Sequence, residues 1–149
     1  MNSETHAVCL TVPAEPEYID LVRLTLYGIS SKLGFSYEEI EDMKVAVAEA
    51  CNNAVVHAYE PGRPGKMNVR FERLNDGLRI TVKDEGPSFD YEAKAQRAES
   101  LHEKTLHEIN VGGLGIYLMQ ALMDDVEVRT GAGTEVTLTK RLIRSEEMV

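Results

Sequence analysis

Hydrophobic positions along this chain switch between two periods, and each switch marks an element. Residues 7–12, AVCLTV, alternate loosely and stop at Pro13, which predicts a short strand that cannot run past the proline. From Pro16 onward the apolar positions are Ile19, Val22, Leu26, Ile29 and Leu33, the spacing of one buried helical stripe, with Gly34 placed to end it in a left-handed cap. Arg23 lies off that stripe and is expected to face water or a partner. Ser36 and Glu39 then have the spacing of a capping box, and Phe35 and Ile40 are placed to staple across it. Glu38, Glu39, Glu41 and Asp42 crowd the first turns of this second helix, where the dipole favours negative charge. Its stripe runs Ile40, Met43, Val47, Ala50 or Cys51, Ala54 and Ala58. The small residues of its second half predict close approach to a sheet or a ligand. Pro61-Gly62-Arg63-Pro64-Gly65 reads as loop.

The period then falls to two. Met67, Val69 and Phe71 alternate with polar residues, Asn75-Asp76-Gly77 supplies a turn, and Leu78, Ile80 and Val82 resume the alternation, which predicts a hairpin with one covered face. Parity puts Asp84 on that covered face, where a carboxylate requires a donor. Residues 92–111 are mostly polar and are expected to form a mobile surface segment. Gly112-Gly113-Leu114-Gly115 opens a short helix with Leu114, Tyr117, Leu118, Ala121 and Leu122 on one side. A second hairpin, 126–130 and 134–140, turns at Gly131-Ala132-Gly133, and Thr134, Val136 and Leu138 share a face of it. Long helices with four or five strands and no regular βαβ alternation predict an α+β two-layer sandwich, a mixed, mostly antiparallel sheet covered on one face by helices.

Composition narrows the function classes. The 149 residues suit one domain, and Lys plus Arg at 16 against Asp plus Glu at 25 leave a formal charge of −9. No basic stripe offsets that charge, so direct nucleic-acid binding is not expected. Cys9 and Cys51 form no CxxC or Cys/His cluster, and two reduced, packed thiols are expected. No apolar run approaches ~18 residues, and the polar start Met1–Ala7 lacks the pattern of a leader, so a cytoplasmic protein without membrane contact is expected.

Within the second helix, Glu49 and Asn53 are one turn apart and share a face, with Asn52 beside them. His57 lies a further turn on and is placed either toward the same pocket or for packing at the helix end. Asp84 with Gly86 ends one strand, and the glycines at 112, 113 and 115 open a helix. Unpaired amides there favour an anion, and glycines admit phosphate oxygens closely. Neither GxxxxGK[ST] nor GxGxxG is satisfied, so a bound nucleotide requires another arrangement. His102, Glu103 and His107 miss the i, i+4 spacing of a zinc protease helix and read as solvated loop.

Taken in order, Glu49-Ala-Cys-Asn-Asn53, Asp84-Glu-Gly86 and Gly112-Gly-Leu-Gly115 resemble the N, G1 and G2 boxes of the GHKL (Bergerat-fold) ATP-binding family, which includes Hsp90, gyrase B, MutL and histidine-kinase catalytic domains. The resemblance extends to VPAEPEYIDLVRLTL, GFSYEEIEDMKVAVAEACNNAVVHAY and GGLGIYLMQALMDDVEV, and is nearest the family's anti-sigma serine kinases. It implies a single ATP-binding unit, 1–149, of histidine-kinase-like ATPase fold, with a lid at approximately 92–115 hinged on Gly112, Gly113 and Gly115. It further implies that Asp84 accepts the adenine amino group, that Thr134 holds the same adenine edge, and that Asn53 ligates Mg²⁺. Glu49 is then the general base toward a serine hydroxyl, and Arg23 contacts a partner. The implied activity is transfer of the ATP γ-phosphoryl group to a serine of an anti-anti-sigma factor, together with sequestration of a stress-response-type sigma factor by a homodimer. An ATP-dependent module that binds without transfer is the alternative, and Glu49 beside Asn53 argues against it. The catalytic domain of a histidine kinase is disfavoured, since the first helix lacks a suitable His and no room remains for a phosphoacceptor hairpin.

Overall fold

The computed structural model describes residues 6–58, 65–84, 113–131 and 133–142. In chain order these form β1 (Ala7–Pro13), α1 (Ile19–Leu33), α2 (Tyr37–Ala58), β2 (Lys66–Leu74), β3 (Gly77–Asp84), α3 (Gly113–Leu122), β4 (Asp125–Gly131) and β5 (Gly133–Arg141). The five strands make one sheet in the order β1-β2-β3-β5-β4. All of its pairings are antiparallel, the limiting case of the mixed sheet expected. None of the described helices is long and apolar enough to cross a membrane.

The sequence signals stand where α1 ends and where α2 begins. A 3-10 turn at Pro16–Tyr18 leads into α1, and Gly34 closes it in the left-handed region at φ 96°, its N–H bonding to the carbonyls of Ser30 and Ser31. Ile19, Val22 and Leu26 are buried, and Ser30 completes the stripe by returning its hydroxyl to the Leu26 carbonyl at 2.7 Å. The α2 capping box is reciprocal: Ser36 N–H donates to Glu39 Oε1 at 2.8 Å, and Glu39 N–H donates to Ser36 Oγ at 3.1 Å. Behind it Phe35 and Ile40 are both in the core. Ala46, Ala50, Cys51 and Ala54 are buried with Met43 and Val47, so α2 packs closely on β2, β3 and β5.

Met67, Val69 and Phe71 of β2 and Leu78, Ile80 and Val82 of β3 are all buried under the helices. The other face of the sheet carries Arg70, Glu72, Arg79, Lys83, Glu127 and Glu135, in partial or full exposure. Two expectations fail here. Cys9 is exposed: on an edge strand opposite Arg70 it falls on the polar face, so only Cys51 is packed. In α3 the buried residues are Gly115, Ile116 and Met119, with Met123 just beyond, while Leu114 is 37% and Tyr117 65% exposed. Apolar residues surround this helix, so periodicity alone did not select its inner side; contact with α2 did.

Candidate functional site

Strand parity places the first group of candidate residues. Asp84, the last residue of β3, is 2% exposed, and Thr134, the second residue of β5, is 5% exposed. They are register partners, so two buried polar side chains stand side by side on the face beneath the helices. Thr134 Oγ1 is buried without a hydrogen-bond partner among the described residues. A buried hydroxyl left unsatisfied costs free energy and marks a place where a polar ligand atom fits.

A second group of candidate residues lies on α2 and α3, which pack together. Glu49 and Asn53 are half-buried one turn apart on α2, whereas Asn52 is exposed and belongs to the solvent side. At the start of α3, Gly113 and Gly115 lie in the first turn, whose amides have no intrahelical acceptor. The two helices meet where a side chain is missing: a β-carbon on Gly115 would lie 2.7 Å from Glu49 Oε1. Gly115 is helical with no positive φ, so the contact uses its lack of bulk and not its conformational freedom. This approach of Gly115 to Glu49 was not legible beforehand, and its only trace in the sequence is a glycine at a helical position where alanine has the better propensity.

Gly86, Gly112 and the proposed lid up to residue 112 lie outside the described residues, as does the His102–His107 segment. His57 belongs to α2. Among the described residues no group of three or more His, Cys, Asp or Glu side chains is arranged to hold a metal.

Arg23 stands apart from these residues. It is partly exposed, paired with Asp20 one turn earlier, and lines a groove of about 730 Å³ between α1 and α2 with Leu24, Tyr27, Lys44 and Val45. Burial pushes the Cys51 thiol up to about 12, with the Arg23 guanidinium acting in the opposite sense.

Residues 12–140 match the family described as Histidine kinase-like ATPase domain. The chain is 44% identical over 143 residues to the serine-protein kinase RsbW of Bacillus subtilis (strain 168), covering 95% of this chain and 89% of that one. It is 49% identical over 133 residues to the RsbW of Bacillus licheniformis, covering 89% and 83%. With the RsbW of Staphylococcus aureus (strain bovine RF122 / ET3-1) the identity is 40% over 148 residues, covering 98% and 93%. The fold is also that of the crystal structure of the RsbU and RsbW domains of Rv1364c from Mycobacterium tuberculosis, with a TM-score of 0.66 at 24% identity, over 96% of this chain and 34% of that one.

Proposed function

The chain belongs to the histidine kinase-like ATPase domain family, within its serine-protein kinase RsbW group, and from that premise we propose that it moves the γ-phosphoryl group of Mg-ATP to a serine of an anti-anti-sigma factor. It is an ATP-dependent protein-serine kinase, and its second activity on this reading is to sequester a sigma factor while ATP is bound. The observation that carries the nucleotide assignment is the buried Asp84–Thr134 pair with its unpartnered Thr134 hydroxyl. Adenine suits the pair: its exocyclic amino group can donate to the Asp84 carboxylate, and its ring edge carries polar atoms within the same plane for the Thr134 hydroxyl.

Asn53 would hold Mg²⁺ through its side-chain oxygen, a hard donor suited to that ion. When bound, the ion neutralises charge across the transferring phosphates. The first turn of α3, with Gly112 before it in sequence, receives phosphate oxygens on backbone amides, and Gly86 is a further nucleotide-binding residue on this reading. Glu49 takes the proton of the incoming serine hydroxyl. The serine Oγ–phosphorus bond forms as the bond from the γ-phosphorus to the β,γ-bridging oxygen breaks, and ADP leaves. Because phosphoryl transfer depends mostly on positioning and charge stabilisation, the amides and Asn53 matter as much as the base. Arg23, at the margin of the buried stripe of α1 where it lines the groove with α2, is the partner contact, and that groove is the surface a sigma or anti-anti-sigma factor occupies. A homodimer through β1, an edge strand of the sheet, and a cytoplasmic setting go with this reading, as does the treatment of 1–149 as one unit with a lid at 92–115.

The decisive measurement is incubation with γ-labelled ATP, Mg²⁺ and the cognate anti-anti-sigma factor. Labelled serine is expected, and Glu49→Gln should abolish it while ATP still binds. No label under conditions where a sigma factor is retained would leave only the non-catalytic clamp, in which Glu49 has no task.

A further inference from the structure

Glu49 can serve as a base only if its carboxylate is held at one place, and a half-buried glutamate on a helix has several rotamers open to it. What limits them here is α3. A β-carbon added to Gly115 would meet three atoms of the same side chain: Oε1 at 2.7 Å, Cδ at 3.7 Å and the Glu49 β-carbon at 3.8 Å. The glutamate side chain therefore lies against the vacant β-position of Gly115, with its carboxylate oxygen nearest. An ordinary non-bonded contact needs about 3.5 Å, so any larger residue at 115 must displace the carboxylate by several tenths of an ångström or more. The atom in the way is the far end of a side chain free to turn, so the displacement disturbs the base and leaves the backbone in place.

We propose that Gly115 is a positioning residue for phosphoryl transfer: its missing side chain is the seat of the Glu49 carboxylate, and α3 thereby fixes the base. This rests on Glu49 being that base. It assigns Gly115 a task separate from closeness to phosphate, and the two tasks have different signatures. A glycine needed for nucleotide approach weakens ATP binding when replaced. A glycine needed to seat the base slows transfer with ATP binding intact. Alanine suits the helical backbone at 115 better than glycine does, so Gly115→Ala should fold at least as well as the parent.

The test uses the full chain, saturating Mg-ATP and single-turnover labelling of the anti-anti-sigma factor, with ATP affinity by calorimetry and thermal melting alongside. Gly115→Ala is expected to lower the transfer rate by about 10- to 100-fold, the scale of an ångström-sized misplacement of a reacting group. ATP affinity should stay within about threefold, a difference below one hydrogen bond's worth, and the melting temperature should not fall. Glu49→Asp shortens the side chain by one methylene and is expected to be slow alone, yet to raise the rate when added to Gly115→Ala, because the shorter carboxylate clears the methyl group. Wild-type transfer by Gly115→Ala, parallel loss of ATP binding and rate, or two single losses that simply multiply in the double variant would each overturn the proposal. Full transfer by Glu49→Gln would instead overturn the reading of Glu49 as base, so the two failures are distinct.

Discussion

Asp84 and Thr134 are both buried at the end of the sheet, but their substitutions should part company. Thr134→Val removes a hydroxyl without a partner among the described residues, so the nucleotide-free protein should melt no lower than the parent, and slightly higher if the valine packs well. ATP affinity should fall by about 3- to 10-fold, the worth of one neutral hydrogen bond. Asp84→Asn turns an acceptor into a mixed amide and should cost more, about 10- to 100-fold, in keeping with a charged acceptor. Calorimetric titration with ATP checks both, and equal affinities for parent and variants would remove adenine from this end of the sheet. The two cysteines differ as sharply. Cys9 is exposed and should react with a thiol reagent in the native protein at about pH 8, whereas Cys51 should react only after unfolding. Burial holds the Cys51 thiol at about 12 against an ordinary 9.0, so in that window an unfolded chain loses a proton that the folded one keeps. Stability from this group is therefore complete below pH 9 and declines as pH rises through the window, and Cys51→Ala should flatten that alkaline fall in denaturant titrations.

At the scale of elements, the β2–β3 hairpin and its neighbour β5 meet at Gly77, where a β-carbon would lie 2.2 Å from the Lys140 carbonyl oxygen. That oxygen belongs to backbone, so unlike the Glu49 carboxylate it cannot swing aside. Gly77→Ala should therefore destabilise the protein by about 1–3 kcal/mol, read as a lower denaturation midpoint with unchanged cooperativity. Elements bounded by local chemistry were the ones legible in the sequence: Ser36 with Glu39 for the start of α2, Gly34 for the end of α1, alternation in β2 and β3. The inner side of α3 was not legible, because Leu114, Ile116, Tyr117, Leu118 and Met119 are all apolar and the choice among them is made by α2. Cys9 was misread for a related reason, since a loosely alternating edge strand does not declare which parity is covered.

For the whole molecule, the candidate site was legible because its residues fall on elements with strict periods: parity placed Asp84 and Thr134 on one face, and helical spacing stacked Glu49 over Asn53. The neighbour each finds was not, because it depends on β5 lying between β3 and β4, which pairs Asp84 with Thr134, and on α3 turning Gly115 toward Glu49. The strand order also has a consequence for how the protein comes into being. β3 finds its second neighbour only in β5, so Gly77 awaits Arg141 and Asp84 awaits Thr134. During synthesis the sheet therefore emerges with its middle incomplete and one edge of β3 bare, and such pairings distant along the chain form late. If Asp84 and Thr134 form the adenine face as proposed, a nascent chain that has not yet made β5 lacks it, and nucleotide binding begins only after nearly all of the matched region has left the ribosome.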